Sequence, residues 1–165
     1  TFGHTASGKP HTMQGDEKQE GIIQQAAQHL LSFEYEEAHA ELRMQYVEVF
    51  KEQVFDLLDA DQGNELKVAP GENLIATCHK VKSKEDVCTL LREGNAQRRT
   101  AYTLHNEKSS RSHAIVRFTY QVTRSLDGKH RRSVLNLVDL AGSEDSPITG
   151  ALESKDKERG AGKPC

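Results

Sequence analysis

The chain has 165 residues, with 22 lysines and arginines against 25 aspartates and glutamates, and a formal net charge of −3. This length fits one domain of ordinary size, and the near-neutral balance excludes the global basic field that binds nucleic acid. No run of about 18 apolar residues is present, so the sequence predicts no membrane span.

The two ends and the cysteines give further expectations. The first residues do not form a signal peptide, and a start at Thr1 rather than methionine favours a piece of something longer. The three cysteines are widely spaced and form no C-x-x-C motif, which favours a reducing intracellular compartment.

In the first half of the chain, the hydrophobic pattern predicts one helix followed by short strands. Apolar residues recur near a period of 3.6 over about 20–40, which predicts a helix, and they alternate over 41–50, which predicts a strand. The apolar run 54–58 fits a strand or a helical turn. The stretch 64–82 is predicted to form short strands and loops.

In the second half, the pattern predicts a helix, a loop and a strand pair. Ser83 and Asp86 have the spacing of a capping box and predict a helix over about 84–98. The polar stretch 100–113 lacks periodicity and is predicted as a loop.

Alternation predicts strands over 114–123 and 133–140, joined by a turn at 126–129. Strands separated by helices indicate an α/β layer architecture, and the strand pair joined by a short turn adds an antiparallel element. A mixed sheet is therefore expected.

A phosphate-binding motif lies at the start of the chain. It follows G-x-x-x-x-G-K-[ST] at every fixed position but the last, and its residues are Gly3, His4, Thr5, Ala6, Ser7, Gly8, Lys9 and Pro10. Glycines let consecutive N–H groups converge on an anion, and the lysine reaches the β- and γ-phosphates. Pro10 lacks both a hydroxyl and a backbone N–H, which predicts weaker phosphate binding and weaker metal positioning. The alternative is a glycine-rich turn that caps a helix.

Two further polar motifs follow later in the chain. The segment 106–113 concentrates hydroxyls, an amide and an arginine, the groups that ligate Mg²⁺ and sense a γ-phosphate. The alternative is a solvated serine-rich loop. Asp139 ends an apolar strand, where a Walker-B carboxylate holds Mg²⁺, and Gly142 offers an N–H to a terminal phosphate. A strand-end aspartate before a glycine-containing turn is also a common structural feature.

Four segments occur in an order that resembles the kinesin motor domain. They are T-F-G-H-T-A-S-G-K-P-H-T-M-Q-G, Y-V-E-V-F-K-E-Q-V-F-D-L-L, N-E-K-S-S-R-S-H and L-N-L-V-D-L-A-G-S-E. The resemblance covers residues 1–151, and two segments look most similar to the centromere-associated (CENP-E-like) kinesins. It implies an α/β fold of the P-loop NTPase type, a three-layer sandwich with a mixed, mostly parallel central sheet. A charged tail at 152–165 is expected to be disordered.

The resemblance also implies a role for each motif residue. It places the phosphates of ATP in the loop from Gly3 to Pro10, with Lys9 on the β- and γ-phosphates and His11 near the base. It implies that Ser110 approaches Mg²⁺ and that Asp139 holds the ion through water. It implies that Ser109 lies near the γ-phosphate and the attacking water, and that the Gly142 N–H donates to the γ-phosphate. It implies that Arg111 and Glu144 form an ion pair that closes when ATP is bound.

For function, the resemblance implies ATP binding and hydrolysis coupled to microtubule-based movement, in the cytoplasm and on the cytoskeleton. Tubulin is the implied partner, mostly through parts that this sequence lacks, and a coiled coil outside it would make the parent protein a dimer. No nucleic-acid or membrane partner is expected.

Departures from the family pattern keep a second interpretation open. Pro10 replaces the expected hydroxyl residue, and the switch II helix, the main microtubule-binding elements and the neck linker do not follow residue 151. These features fit a non-hydrolysing pseudo-kinesin or a truncated nucleotide- or microtubule-binding scaffold. A small GTPase is disfavoured, because no N/T-K-x-D-like motif for base recognition is present.

Overall fold

The computed structural model describes residues 1–16, 18–59, 65–66, 75–105 and 111–143, with the side chains of 100–105 left out. Its elements, in chain order, are α1 Lys9–Gln14, α2 Ile22–Leu31, β1 Ala38–Phe50, β2 Gln53–Asp56, β3 Glu65–Leu66, β4 His79–Val81, α3 Lys84–His105, β5 His113–Arg124 and β6 His130–Asp139. None of the helices among these residues is long and apolar enough to cross a membrane.

The described strands form one sheet in which every pairing is antiparallel. The order is β3-β2-β1-β5-β6, and β4 also pairs with β1. The expectation of a mostly parallel sheet is therefore wrong for these strands. The reason lies partly in the connections: β1 and β2 are joined by Lys51 and Glu52 at φ of 49° and 66°, and β5 and β6 by a turn with Gly128 at 65°. Such short turns join only antiparallel neighbours, since a parallel pair needs a crossover of about a dozen residues.

The core lies between one face of the sheet and the described helices. Side chains alternate across a strand, and the even-numbered residues of β1 and β5 face the helices. The buried cluster holds Leu42, Met44, Tyr46, Ala114, Val116 and Phe118 from the sheet and Met13, Ile23, Ala27, Val87, Leu90 and Leu91 from the helices. Through the register of β5 with β6, the same face carries Asp139 opposite Ala114.

The predicted helix over 20–40 ends earlier than expected. The structure closes it at Leu31, where the Ser32 N–H donates to the carbonyls of Gln28 and His29, and β1 already begins at Ala38. Phe33 is 47% exposed. It therefore continues the hydrophobic period in the sequence without continuing the buried face of the helix.

The helix predicted over 84–98 is instead longer, and the loop predicted from residue 100 is wrong up to His105. The last turns of this helix are polar and carry no hydrophobic period, so the pattern does not reveal them. Its start is confirmed: the Asp86 N–H donates to Ser83 Oγ at 3.2 Å, and the Ser83 N–H donates to Asp86 Oδ2 at 3.1 Å. This reciprocal pair is a capping box.

Candidate functional site

The phosphate-loop motif forms a tight curl that leads into α1. Ala6 and Gly8 adopt left-handed conformations, with φ of 62° and 83°, and such residues turn successive N–H groups toward one concave side. Gly8 is the N-cap of α1, and its carbonyl accepts the Thr12 N–H at 2.9 Å. A Cβ added at Gly8 would meet nothing within 4 Å, so open space lies beside the loop.

Lys9 folds back onto this loop and is buried. Its Nζ donates to the carbonyl oxygens of Gly3 and His4, both at 2.8 Å. An ammonium has three donors, so the charge is fixed beside the loop by two carbonyls with one N–H left for a further acceptor. Pro10 follows in the first turn of α1, a position that suits proline because the N–H there has no intrahelical partner.

The strand-end aspartate lies beside the same loop. Asp139 is buried and accepts a hydrogen bond from Thr1 Oγ1 at 2.9 Å. The Leu140 N–H donates to the Thr1 carbonyl at 3.2 Å, and the Ser143 N–H donates to the Gly3 carbonyl at 3.1 Å. These bonds hold the phosphate loop against the segment 139–143, so the structure brings together the first and third motifs of the sequence.

Gly142 occupies a distinct place within that segment. The N–H groups of Leu140, Ala141 and Ser143 each donate to a protein acceptor. Within the described residues, the Gly142 N–H donates to none. Among the described residues, it is therefore the amide of this turn that has no protein acceptor.

The second motif is described only at its end. Arg111 is exposed, whereas Ser109, Ser110 and Glu144 lie outside the described residues, so the ion pair expected between Arg111 and Glu144 stays a prediction. His11, expected near the base, lies 3.2 Å from Asp16 Oδ2 through its Nε2. The N–H groups of Lys18 and Gln19 donate to that carboxylate and lower the pKa of Asp16.

A buried polar network anchors the end of the second motif. Arg98 Nε donates to Glu48 Oε1 at 2.7 Å, Arg98 also donates to Ser112 Oγ at 2.7 Å, and Ser112 Oγ donates to Glu48 Oε1 at 2.6 Å. We did not predict this network. The signal was present, because the alternation of β1 places Glu48 on the core face with Tyr46, where a carboxylate needs a partner.

A second network joins α1 to α3 through Tyr46. The Tyr46 hydroxyl donates to Asn95 Oδ1 at 2.9 Å and accepts from Gln14 Nε2 at 3.1 Å. Asn95 Nδ2 in turn donates to Gln14 Oε1 at 2.5 Å. Burial raises the pKa of Tyr46, so the hydroxyl stays protonated as a donor. The end of the phosphate-loop helix is thus tied to the helix that leads to the second motif.

Comparisons with known proteins agree with this arrangement. The kinesin motor domain family matches residues 1–161. The chain is 34% identical to the kinesin-like protein Klp61F of Drosophila melanogaster over 90% of its own length and 16% of that protein. It is 36% identical to the kinesin heavy chain of the same organism, and the alignment covers 91% of this chain and 16% of that protein. It is 35% identical to human kinesin-like protein KIF13B, and the alignment covers 95% of this chain and 9% of that protein.

A solved structure of a fast kinesin, described with implications for ATPase mechanism and interactions with microtubules, superposes with a TM-score of 0.78 at 28% identity. The alignment covers 92% of this chain and 46% of that one. The α/β fold of the P-loop NTPase type is thereby confirmed, and this chain spans a minor part of the relatives it matches. The motif order, the joined loops and the family match together show that the chain belongs to the kinesin motor domain family.

Proposed function

We propose that this chain is the nucleotide-binding part of a motor that hydrolyses ATP and moves along microtubules. Kinesin motors as a family are nucleotide-binding ATPases that act on microtubules. The observation that supports the proposal most is the bond from the Ser143 N–H to the Gly3 carbonyl at 3.1 Å. It holds the loop that binds β- and γ-phosphates beside the turn that senses the terminal phosphate.

In this proposal the protein acts by positioning and by electrostatic stabilisation of the transferred phosphoryl group. Lys9 contacts the β- and γ-phosphates, and the Gly142 N–H donates to the γ-phosphate. Ser109 lies near the γ-phosphate and the attacking water. Arg111 and Glu144 pair when ATP is bound, so that the two loops are held down until hydrolysis frees them.

The described residues fit the phosphates of ATP better than they fit Mg²⁺. Lys9 and the open space beside Gly8 suit an anion. At the position where a hydroxyl normally meets the metal, Pro10 offers no side-chain oxygen. Asp139 is a suitable carboxylate whose Oδ1 accepts from Thr1, and Ser110 lies outside the described residues. The described residues therefore do not supply the donor set that Mg²⁺ needs.

The broader assignments belong to the same proposal. The parent protein would work in the cytoplasm on microtubules, bind tubulin mostly through parts outside this sequence and dimerise through a coiled coil there. Residues 1–151 would be the motor part, with the three-layer architecture of the family, and 152–165 a separate tail. The T-A-S-G-K and L-N-L-V-D-L-A-G-S-E segments favour the CENP-E-like group.

Nucleotide binding is tested by replacing the loop lysine. Lys9→Met removes an ammonium that would bond to charged phosphates, a contact worth about 2 kcal/mol, and we expect the affinity for fluorescent ADP to fall about thirtyfold. Lys18→Met, at an exposed lysine past α1, is the matched control and should bind like the parent. Equal affinities of the two variants, with unchanged melting temperatures, would contradict a phosphate-binding loop.

Pro10 gives a separate prediction on metal dependence. Because the parent lacks the hydroxyl ligand, its ADP affinity should change less than about threefold when EDTA replaces Mg²⁺, whereas Pro10→Thr should gain a metal dependence of about tenfold. Pro10→Ala removes the proline without adding a hydroxyl and controls for the backbone. If the parent already loses its affinity in EDTA, Pro10 is not the defect in metal binding. Phosphate release that microtubules stimulate in the parent would exclude the non-hydrolysing alternative.

A further inference from the structure

His113 links the end of the second motif to the turn after β6. It is the first residue of β5, and its Nδ1 accepts the N–H of Ala141 at 3.0 Å. The bond spans 28 positions of the chain. The sequence motif predicts no role for His113, because this residue follows the serines and the arginine that are expected to contact the nucleotide.

The hydrogen bond from Ala141 to His113 fixes the backbone directly before the Gly142 amide. The turn after Asp139 is held by three N–H groups: Leu140 on Thr1, Ala141 on His113 and Ser143 on Gly3. Two of these anchors, Ala141 and Ser143, flank Gly142 directly. A glycine has wide backbone freedom, so the direction of the Gly142 N–H depends on these neighbouring anchors.

The backbone before His113 is held in place by a buried neighbour. Its neighbour Ser112 is 1% exposed and is bonded to Glu48 and Arg98. To accept from Ala141, Nδ1 must be unprotonated, which assigns the proton of the neutral ring to Nε2. The imidazole is thus a fixed acceptor that faces the turn.

We propose that His113 is a positioning residue that aims the Gly142 N–H at a terminal phosphate by anchoring Ala141. This inference rests on the proposed nucleotide-binding function. His113 touches neither nucleotide nor reacting atoms and acts only through the turn. Its loss should therefore weaken binding of a nucleoside triphosphate and leave the diphosphate largely unaffected, because the diphosphate has no γ-phosphate for Gly142 to contact.

Two variants separate the acceptor from the ring. His113→Phe keeps a planar ring without an acceptor, and His113→Asn keeps an acceptor oxygen close to the position of Nδ1. We expect His113→Phe to bind ADP within about twofold of the parent and a non-hydrolysable ATP analogue about fivefold more weakly, the worth of one hydrogen bond. His113→Asn should restore the affinity for the analogue. A merely structural role would weaken both ligands together and would not be rescued by asparagine.

A second readout needs no nucleotide. Hydrogen exchange of the Ala141 amide, followed by ¹⁵N NMR, should be slow in the parent and in His113→Asn and fast in His113→Phe. Equal exchange in all three overturns the anchoring contact, and an unchanged ratio of analogue to ADP affinity in His113→Phe overturns the phosphate role. If the parent binds neither nucleotide, the proposed function and the phosphate role both fail, while amide exchange still decides whether His113 anchors the turn.

Discussion

Arg98→Met should lower the free energy of unfolding by about 3–5 kcal/mol, because it removes a cation that pairs with a buried carboxylate. Arg98 Nε lies 2.7 Å from Glu48 Oε1, with the two side chains 12% and 4% exposed. Urea denaturation followed by circular dichroism would measure the loss. The Ser112 hydroxyl remains as a donor to Glu48, but a neutral hydroxyl does not replace the charge.

The control is an ion pair on the surface. Lys84 Nζ lies 2.6 Å from Glu20 Oε1, with side chains 35% and 46% exposed, and such pairs contribute roughly 0–1 kcal/mol. Lys84→Met should therefore change stability by less than about 1 kcal/mol. The double variant Glu48→Gln with Arg98→Met should recover much of the loss, since it buries no unpaired charge. An Arg98→Met variant no less stable than Lys84→Met would show that the Arg98–Glu48 pair contributes little.

Gly94→Ala should destabilise the fold by about 3 kcal/mol, at the upper end of the range for overpacked cores. In a helix interior alanine is normally better than glycine by about 0.5–1 kcal/mol, so the expected sign is reversed here. A Cβ at Gly94 would lie 2.3 Å from Tyr46 Cδ1 and 2.6 Å from Cε1. The ring cannot easily swing away, because it is fully buried and its hydroxyl is bonded to Asn95 and Gln14.

Thermal unfolding of matched variants would test this. Glu93→Ala changes the adjacent, exposed position of the same helix and should be nearly neutral. Adding Tyr46→Leu to Gly94→Ala should make the second substitution less harmful than it is alone, which a double-mutant cycle would measure. A Gly94→Ala variant as stable as the parent would mean that α3 can move away from Tyr46 at little cost.

The parts of the site that lie within one short motif were predictable from sequence. The curl from Gly3 to Lys9 and the placement of Asp139 at the end of a strand depend on local residue order, and the structure contains both. The start of α3 is equally local, since Ser83 and Asp86 bond to each other. In the curl and in the capping box, the partners lie within a few residues along the chain.

The predictions that were wrong or missing mostly concern residues whose partners are distant along the chain. Whether neighbouring strands run parallel or antiparallel depends on which of them pair, and β1 pairs with β5 across the whole of α3. The end of α3 beyond residue 98 is polar and leaves no hydrophobic period to detect. His113 was missed because its value comes from Ala141 and not from its neighbours in sequence.

The two carbonyl contacts of Lys9 affect how fast a phosphate ligand can bind. An ammonium loses its hydration shell when it is buried, and here folding itself removes that water, with the Gly3 and His4 carbonyls as substitutes. An arriving phosphate therefore meets a charge that has already lost most of its water and is held by two carbonyls. Preorganisation of this kind reduces the cost of association. We expect the association rate to be set by diffusion and access to the loop, with no slow step of loop ordering before capture.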